Sequence, residues 1–267
     1  MTGARLVAAA KVTRTLRVVG VRPDGYHDLD AEMVTVDLAD ELEVRPGGSG
    51  LSVDDRTGGW GDPGTGPDNL VRRALDAVGA RAEVRLIKHI PVGAGLGGGS
   101  ADAAAVLRWA GARDPAVAAS LGADVAFCVL GGRARVRGIG ERVEPLPFED
   151  RRFVLLVPPL AVSTAAVYRA WDALAADRRR SERAQNDLLA AALVVEPRLA
   201  AWREVLGSAT GRTPELAGSG STWFVEGTPE ELGLTGTTGL ALGPDRARVI
   251  ATRTVPAGWG EGGTPGS

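Results

Sequence analysis

The segment that most constrains this chain is a glycine-rich run over residues 91–105, which reads Pro-Val-Gly-Ala-Gly-Leu-Gly-Gly-Gly-Ser-Ala-Asp-Ala-Ala-Ala. Five glycines fall within seven residues, from Gly93 to Gly99. A strand-like segment over 83–90 precedes them, and an alanine-rich, helix-forming segment over 101–109 follows. Glycines let the backbone approach a ligand closely, and a helix N-terminus presents unpaired N–H groups to an anion. The order of strand, glycine loop and helix therefore predicts a phosphate-binding loop.

This loop does not fit the two most common phosphate-binding patterns. A P-loop ends in Gly-Lys followed by Ser or Thr, whereas Ser100 here follows Gly99 directly. A dinucleotide fingerprint also needs an acidic residue after a second strand, roughly twenty residues further on, and none is placed there. A flexible linker is the alternative, but the flanking strand and the abrupt change to a helical segment argue against it.

Composition limits the classes of function. The chain has 267 residues, 44% of them hydrophobic and 24% charged, as expected of one large or two modest globular domains. Its net charge of −2 gives no sign of a nucleic-acid or membrane partner, so a small-molecule partner is expected. Cys128 is the only cysteine and lies in an apolar run, which predicts a buried thiol. With no long apolar segment and no secretory signal pattern, the expected location is the cytoplasm.

Lysine and asparagine are scarce in this chain. Of 31 basic residues only Lys11 and Lys88 are lysine, and Asn69 and Asn186 are the only asparagines. Because arginine is planar and forked while lysine carries a compact ammonium, the two lysines indicate positions where an ammonium is required. Chance retention is the alternative for each.

Periodicity and turn residues predict an α+β chain, with a β-rich first half and a mixed second half. Strands are predicted over 4–20, 34–38, 42–44, 51–53, 83–90, 153–157 and 248–255, and a strand pair around Gly138 and Gly140 is predicted over 131–144. Helices are predicted over 69–78, 101–109, 164–176, 186–195 and 197–206, the first of them capped by Asp68. The domains are expected to be 1–150 and 151–256, followed by a disordered tail over 257–267.

Motifs spread over about 220 residues resemble the GHMP kinase superfamily. They are Ala10-Lys11-Val12, the segment 22–27, Pro67-Asp68-Asn69-Leu70, the glycine loop, the segment 121–127, Gly131-Gly132, the segment 162–168, Asn186-Asp187-Leu188 and Gly218-Ser219-Gly220-Ser221. The loop alone marks only the superfamily. Asp24-Gly25-Tyr26-His27 is the more specific signal, and it resembles the family that phosphorylates 4-diphosphocytidyl-2-C-methyl-D-erythritol.

The resemblance implies a two-lobed fold with its active site between the lobes. The first lobe would be a nucleotide-binding domain related to ribosomal protein S5, and the second a ferredoxin-like domain. The implied reaction transfers the γ-phosphoryl group of ATP, with Mg²⁺, to the 2-hydroxyl of the cytidyl substrate in non-mevalonate isoprenoid synthesis. A monomer or homodimer is expected.

The resemblance also assigns the nucleotide-binding residues. The phosphates of ATP would lie on Pro91, Val92, Gly93, Ala94, Gly95, Leu96, Gly97, Gly98, Gly99, Ser100 and Ala101. Asn69 resembles a residue near the adenine, and Lys88 would meet the nucleotide or a phosphate. The alternatives are that Asn69 only shapes a helix start, that Lys88 is a solvated strand residue, and that Ser100 is a plain helix N-cap.

Lys11 and Asp124 are the predicted catalytic residues. Asp124 precedes the apolar run 125–130, where an unpaired carboxylate would be costly, and Lys11 is its natural partner. Such a pair would hold the acceptor hydroxyl, accept its proton and offset developing charge. The alternative is a structural salt bridge.

The acceptor side is expected to use an aromatic group and a glycine turn. Tyr26 would stack on the pyrimidine, His27 would hydrogen-bond the cytosine edge, and Tyr168 would supply the opposite stacking face. The same resemblance places Thr13 and the turn formed by Gly218, Ser219 and Gly220 against the substrate. The alternatives are that Tyr26 is a plain hairpin aromatic and His27 a surface histidine. Tyr168 would then be a core residue, and the glycine segment would only make a tight turn.

Three departures from the family pattern leave two rival functions open. Thr13 stands where asparagine is usual, Ala126 stands where proline is usual, and the segment 111–121 is short. One rival is a nucleotide-binding paralogue that has lost turnover. The other is a GHMP kinase that acts on a different small alcohol.

Overall fold

Two mainly antiparallel sheets form the framework of the computed structural model, which describes residues 3–58, 61–175, 179 and 185–261. The first sheet contains β1 (Ala4–Val21), β2 (His27–Pro46), β3 (Gly50–Asp55), β4 (Ala82–Lys88), β5 (Arg133–Gly138) and β6 (Arg142–Leu146). The second contains β7 (Arg152–Val157), β8 (Glu215–Leu216), β9 (Trp223–Glu226), β10 (Gly239–Leu242) and β11 (Asp245–Arg253). The change of sheet falls between Leu146 and Arg152, and the domain boundary at 150 stays a prediction.

The long strand β2 organises the first sheet. Along one edge it pairs with β1 in an antiparallel hairpin, and along the other it pairs with β5 and then with β4. Strands β3 and β4 pair in parallel. The β1–β2 register shifts between Ala9 and Lys11 and again between Thr13 and Thr15. Such irregularities re-aim side chains, and these two bracket the segment that carries Lys11 and Thr13.

Seven helices within the described residues pack on or between the sheets. They are α1 (Leu70–Ala77), α2 (Gly98–Trp109), α3 (Pro115–Leu121), α4 (Val125–Leu130), α5 (Thr164–Ala173), α6 (Leu189–Val195) and α7 (Arg198–Thr210). In α2 the residues 101–107 are all buried, because alanines allow α1, α4 and β1 to approach closely on several sides. No helix among the described residues is long and apolar enough to cross a membrane.

A hydrophobic cluster joins the two lobes. Val34 and Val36 of β2 pack with Phe153 and Leu155 of β7, and Leu96 of the glycine loop belongs to the same cluster. The second sheet therefore supports the loop directly. This contact places the loop at the junction of the two lobes.

Several sequence-based element boundaries are wrong. The segments 34–38 and 42–44 belong to the single strand β2. The N-cap of α1 is Asn69 instead of Asp68, because the Asn69 side chain accepts a hydrogen bond from the Val71 N–H. Helix α6 begins at Leu189, later than predicted, since the residues before it form a turn.

A disordered tail was expected from residue 257, and this expectation is wrong for residues 257–261. Residues 256–261 form turns against the first lobe, where Glu261 pairs with Arg108 and Arg113. The remaining predicted tail, 262–267, and the predicted helix end at 176 lie outside the described residues.

Candidate active site

A cleft of about 1070 Å³ opens between the lobes and contains most of the residues singled out from the sequence. The predicted residues that line it are Lys11, Thr13, Tyr26, His27, Asn69, Lys88, Pro91 to Ser100, Asp124, Tyr168, Gly218 and Ser219. Two predicted residues do not line it. Ala101 lies in the core and donates its N–H to the Gly97 carbonyl, and Gly220 packs against Leu216 and Leu199. Neither lines the cleft in this structure, and their ligand contacts stay predictions.

The glycine loop is held from both sides. Its Leu96 carbonyl accepts a hydrogen bond of 3.0 Å from the Lys11 N–H, and its Ala94 carbonyl accepts one of 3.1 Å from the Thr222 N–H. Gly95 has φ +79°, and a Cβ there would lie 2.4 Å from the Ala217 carbonyl oxygen. Glycine is therefore required at this point, because the loop passes directly against the backbone of the second lobe.

The loop runs straight into the N-terminus of α2. Gly97 is the N-cap, with φ 70°, and makes no side-chain capping bond. Ser100 is consequently a residue of the first turn and does not cap the helix. The N–H groups of this first turn have no acceptor inside the helix, and Gly98, Gly99 and Ser100 line the cleft. They form a ready site for an anion.

Lys11 and Asp124 meet beside the loop. Lys11 Nζ lies 3.2 Å from Asp124 Oδ2 and donates to Thr13 Oγ1 at 3.1 Å. A Cβ at Gly97 would lie 2.9 Å from Lys11 Cγ, and one at Gly218 would lie 3.5 Å from Lys11 Nζ. The ammonium thus sits where the loop, the Gly218 turn and Asp124 converge. Thr13, standing where asparagine is usual, still offers the lysine an acceptor oxygen.

His27 and Tyr168 also come together, as part of an aromatic group. Their ring centroids are 4.7 Å apart, and the Trp171 ring meets His27 edge-on at 5.4 Å. The His27 Nε2 atom lies 2.7 Å from Asp172 Oδ1, a contact that the sequence did not indicate. Tyr26, by contrast, is exposed at the rim of the cleft. Burial raises the pKa of the Tyr168 hydroxyl, so this residue stays neutral.

The Gly218 turn is fixed by a buried amide. Asn186 Nδ2 donates to the Gly218 carbonyl at 2.6 Å and to the Leu216 carbonyl at 2.9 Å. Ser219 Oγ lies 2.8 Å from Thr164 Oγ1, at the start of α5. Asn186 is one of two asparagines in the chain, and that scarcity was a usable signal for a specific contact.

Asn69 and Lys88 are bound to protein groups in this structure. Asn69 caps α1 and donates to the Pro63 and Gly64 carbonyls, which agrees with a helix-shaping role. The Lys88 ammonium is buried between Asp40 and Asp102. Burial lowers the pKa of Lys88, but attraction to the two carboxylates outweighs it and leaves that pKa above its ordinary value. Direct nucleotide contacts of Asn69 and Lys88 stay predictions.

Cys128 was predicted to be a buried thiol. Burial raises the pKa of the Cys128 thiol to about 12, so it stays protonated, as its apolar neighbours indicated. In the part of the chain that the structure describes, no three His, Cys, Asp or Glu side chains cluster as a metal site would require.

Comparisons with known proteins agree with this geometry. The family model of the GHMP kinases N terminal domain matches residues 69–132. A 4-diphosphocytidyl-2-C-methyl-D-erythritol kinase of Paracoccus denitrificans is 41% identical over 239 residues, which cover 82% of this chain and 85% of that protein. A kinase of the same name from Cereibacter sphaeroides is 35% identical over an alignment of 290 positions, which covers 94% of this chain and 95% of that protein.

Solved structures of related kinases have a similar fold. The crystal structure of a 4-(cytidine 5'-diphospho)-2C-methyl-D-erythritol kinase superposes with a TM-score of 0.70 at 32% identity and covers 94% of this chain and 99% of its own. The Methanococcus jannaschii mevalonate kinase, at 12% identity and a TM-score of 0.60, covers 95% and 99% and shares the fold alone. The predicted α+β, two-lobed GHMP kinase architecture is confirmed. This chain belongs to the family of 4-diphosphocytidyl-2-C-methyl-D-erythritol kinases.

Proposed function

We propose that this protein transfers the γ-phosphoryl group of ATP to the 2-hydroxyl of 4-diphosphocytidyl-2-C-methyl-D-erythritol, a step in non-mevalonate isoprenoid precursor synthesis. One observation carries the proposal. The glycine loop, the Lys11–Asp124 pair and the His27–Tyr168 contact all face the same cleft. A kinase for this acceptor needs these three functions, which are a phosphate site, a group that receives the hydroxyl and a surface for a base.

ATP would lie with its phosphates on the loop. The N–H groups at the start of α2 point their partial positive charge at the cleft and can bind phosphate oxygens. Mg²⁺ generally binds through substrate phosphates with one or two carboxylates, and does not need a cage made only of protein ligands. The described residues offer no such cage. The ion would accordingly arrive with ATP and neutralise charge on its phosphates.

Asp124 and Lys11 would act on the acceptor hydroxyl. The Asp124 carboxylate is partly exposed in the cleft and can accept the hydroxyl proton, while the enclosed Lys11 ammonium offsets the charge that develops during transfer. Phosphoryl transfer requires little covalent help from the protein. Holding the hydroxyl in line with the γ-phosphate therefore contributes at least as much as basicity.

The cytosine would be held at the aromatic end of the cleft. Tyr26 at the rim and Tyr168 inside would stack on the two faces of the base, and His27, which also lines the cleft, would offer a ring nitrogen to its edge. Each stacked base contributes about 1–3 kcal/mol in comparable sites. The reaction is proposed to occur in the cytoplasm, in a monomer or homodimer without a nucleic-acid partner, which the net charge of −2 fits.

A turnover assay tests the proposal. Purified protein is incubated with MgATP and a panel of alcohols, namely the cytidyl substrate, methylerythritol phosphate, mevalonate and homoserine, and ADP release is followed. We expect release with the cytidyl substrate far above that with the others. Turnover with another alcohol alone would instead identify a different small-alcohol kinase. ATP binding without turnover on any of the four would favour a non-catalytic paralogue.

A further inference from the structure

A buried ionic triad lies beneath the glycine loop. Lys88 Nζ donates to Asp40 Oδ2 and, at 2.9 Å, to Asp102 Oδ2. The side chains of Lys88, Asp40 and Asp102 are 3%, 0% and 4% exposed. Taking three charges out of water costs free energy unless they are paired in good geometry. The transfer step proposed above gives none of these groups a role, so their place under the loop needs another explanation.

The triad holds the residues that enter the loop. Asp40 Oδ1 accepts hydrogen bonds from the His89 N–H at 2.5 Å and the Ile90 N–H at 2.8 Å. These are the last two residues before Pro91, where the loop begins. One carboxylate thus binds the incoming backbone with one oxygen and the Lys88 ammonium with the other.

The triad also holds the helix that leaves the loop. Asp102 lies in the second turn of α2, and its carboxylate binds the same ammonium. A Cβ at Gly98, the first residue of α2, would lie 3.1 Å from Lys88 Nζ. A single ammonium therefore ties the strand before the loop to the helix after it.

We propose that Lys88, Asp40 and Asp102 are positioning residues for the nucleotide, which fix the two ends of the glycine loop so that its N–H groups converge on the phosphates. Lys88 acts through the loop and does not touch the nucleotide. This role differs from that of the P-loop lysine, which reaches the phosphates itself. The inference rests on the proposed nucleotide site, but it is independent of which alcohol is phosphorylated.

Three variants separate positioning from direct contact. Asp40→Asn keeps an acceptor oxygen for the loop but loses the ion pair, and Asp40 does not line the cleft. Asp102→Ala removes the tie to α2 at a position where alanine favours the helix. Lys88→Met removes the ammonium and leaves two buried carboxylates. Arg17→Met is the matched control, because it breaks the ion pair between Arg17 and the buried Asp187 on another part of the chain.

The measurements are ADP affinity by calorimetry, without any acceptor, and amide hydrogen exchange over 91–101 in the nucleotide-free protein. We expect all three triad variants to weaken ADP binding about tenfold or more, the scale for breaking a buried charged contact, and to speed exchange in the loop. The Arg17→Met control should bind ADP within about twofold of wild type, since its broken contact is not part of the loop support.

Two results would overturn the proposal. If only Lys88→Met loses ADP while Asp40→Asn and Asp102→Ala bind normally, the lysine contacts the nucleotide directly. If all variants bind ADP normally, the triad has no role in nucleotide binding. Should Lys88→Met fail to fold, the two aspartate variants still decide the question. A wild-type protein that binds ADP but phosphorylates no alcohol would refute the proposed function and leave this inference standing.

Discussion

Lys11 Nζ lies 3.2 Å from Asp124 Oδ2, and the two side chains differ sharply in exposure, at 5% for the lysine and 29% for the aspartate. The lysine is enclosed by the glycine loop and the Gly218 turn, whereas the carboxylate opens into the cleft. Asp124 is therefore the member of the pair that can meet an acceptor hydroxyl. Lys11 lies behind it and would act through charge.

Asp124→Asn should keep the fold and ATP binding but reduce turnover about a hundredfold or more, the usual scale for losing a general base. The amide can still hydrogen-bond a hydroxyl but cannot take its proton. Steady-state ADP release and ATP titration measure the two effects. Asp114→Asn is a suitable control, because Asp114 does not line the cleft and caps α3, where asparagine caps equally well. Near-wild-type turnover of folded Asp124→Asn would remove this carboxylate from the mechanism.

Lys11→Arg should inactivate the protein although it preserves charge. The aliphatic part of Lys11 is packed against Gly97, so a longer, planar guanidinium cannot occupy the same position. The reverse exchange, Arg5→Lys in the exposed Arg5–Glu41 pair, should leave activity unchanged. Retention of more than about half of the activity in Lys11→Arg would show that charge alone suffices there.

Tyr26→Ala should weaken the acceptor and leave ATP unaffected. Loss of one stacking contact of about 1–3 kcal/mol raises the acceptor KM roughly fivefold to more than a hundredfold. The effect should be larger for the cytidyl substrate than for methylerythritol phosphate, which has no base. Phe148→Ala removes an exposed aromatic outside the cleft and should change neither KM. A loss of ATP affinity in Tyr26→Ala would contradict the stacking role.

Local sequence was sufficient for the residues that act within one short segment. The glycine loop, Lys11 and Asp124 were found because glycine spacing, a rare lysine and an acid before an apolar run are each visible over a few residues. Their meeting in one cleft followed only from the family resemblance. Strand and helix types followed from periodicity for the same local reason.

Contacts between distant segments were not accessible in the same way. Asp40 and Lys88 meet through the β2–β4 pairing, and Asp172 reaches His27 from another lobe. One usable signal was overlooked, namely the single acid Asp102 inside a buried alanine-rich helix. A charge at such a position requires a partner, and Lys88 is that partner in the structure.

Gly95→Ala should abolish nucleotide binding, because its Cβ would overlap the Ala217 and Gly220 carbonyl oxygens. Gly111→Ala is the matched control, with a similar positive φ of +73° but no atom within 4 Å. The control should lose only the roughly 1–3 kcal/mol of backbone strain, measured by urea unfolding, and keep its ADP affinity. Equal ADP affinity in the two variants would show that close approach at Gly95 is not required.

Asp102 should make folding stability depend on pH. Burial, opposed by Lys88 and assisted by Asp40, raises the pKa of Asp102 to about 7, against an unfolded value of about 3.9. The folded protein then holds a proton that the unfolded chain releases, so this contribution to stability falls as pH rises from about 4 to 7. Cys128 of α4, a further titratable group near Asp102, stays protonated.

The comparison of wild type with Asp102→Asn isolates that contribution. Asparagine resembles the protonated acid and does not titrate. The free energy of unfolding of the variant, measured in urea at each pH, should therefore increase relative to that of wild type as the pH rises from 5 to 8. Asp114→Asn should show no such gain. A constant difference between wild type and Asp102→Asn across this range would mean that Asp102 is ionised throughout.

The position of the new phosphate in the product distinguishes the proposed reaction from any other phosphoryl transfer. Wild-type protein is incubated with MgATP and 4-diphosphocytidyl-2-C-methyl-D-erythritol, and the product is examined by phosphorus and carbon NMR. We expect one new phosphomonoester whose phosphorus couples to carbon 2 of the erythritol, formed at least about a hundredfold more slowly by Asp124→Asn. A phosphate on another hydroxyl, or the release of ADP and inorganic phosphate without a phosphorylated product, would contradict the proposed reaction.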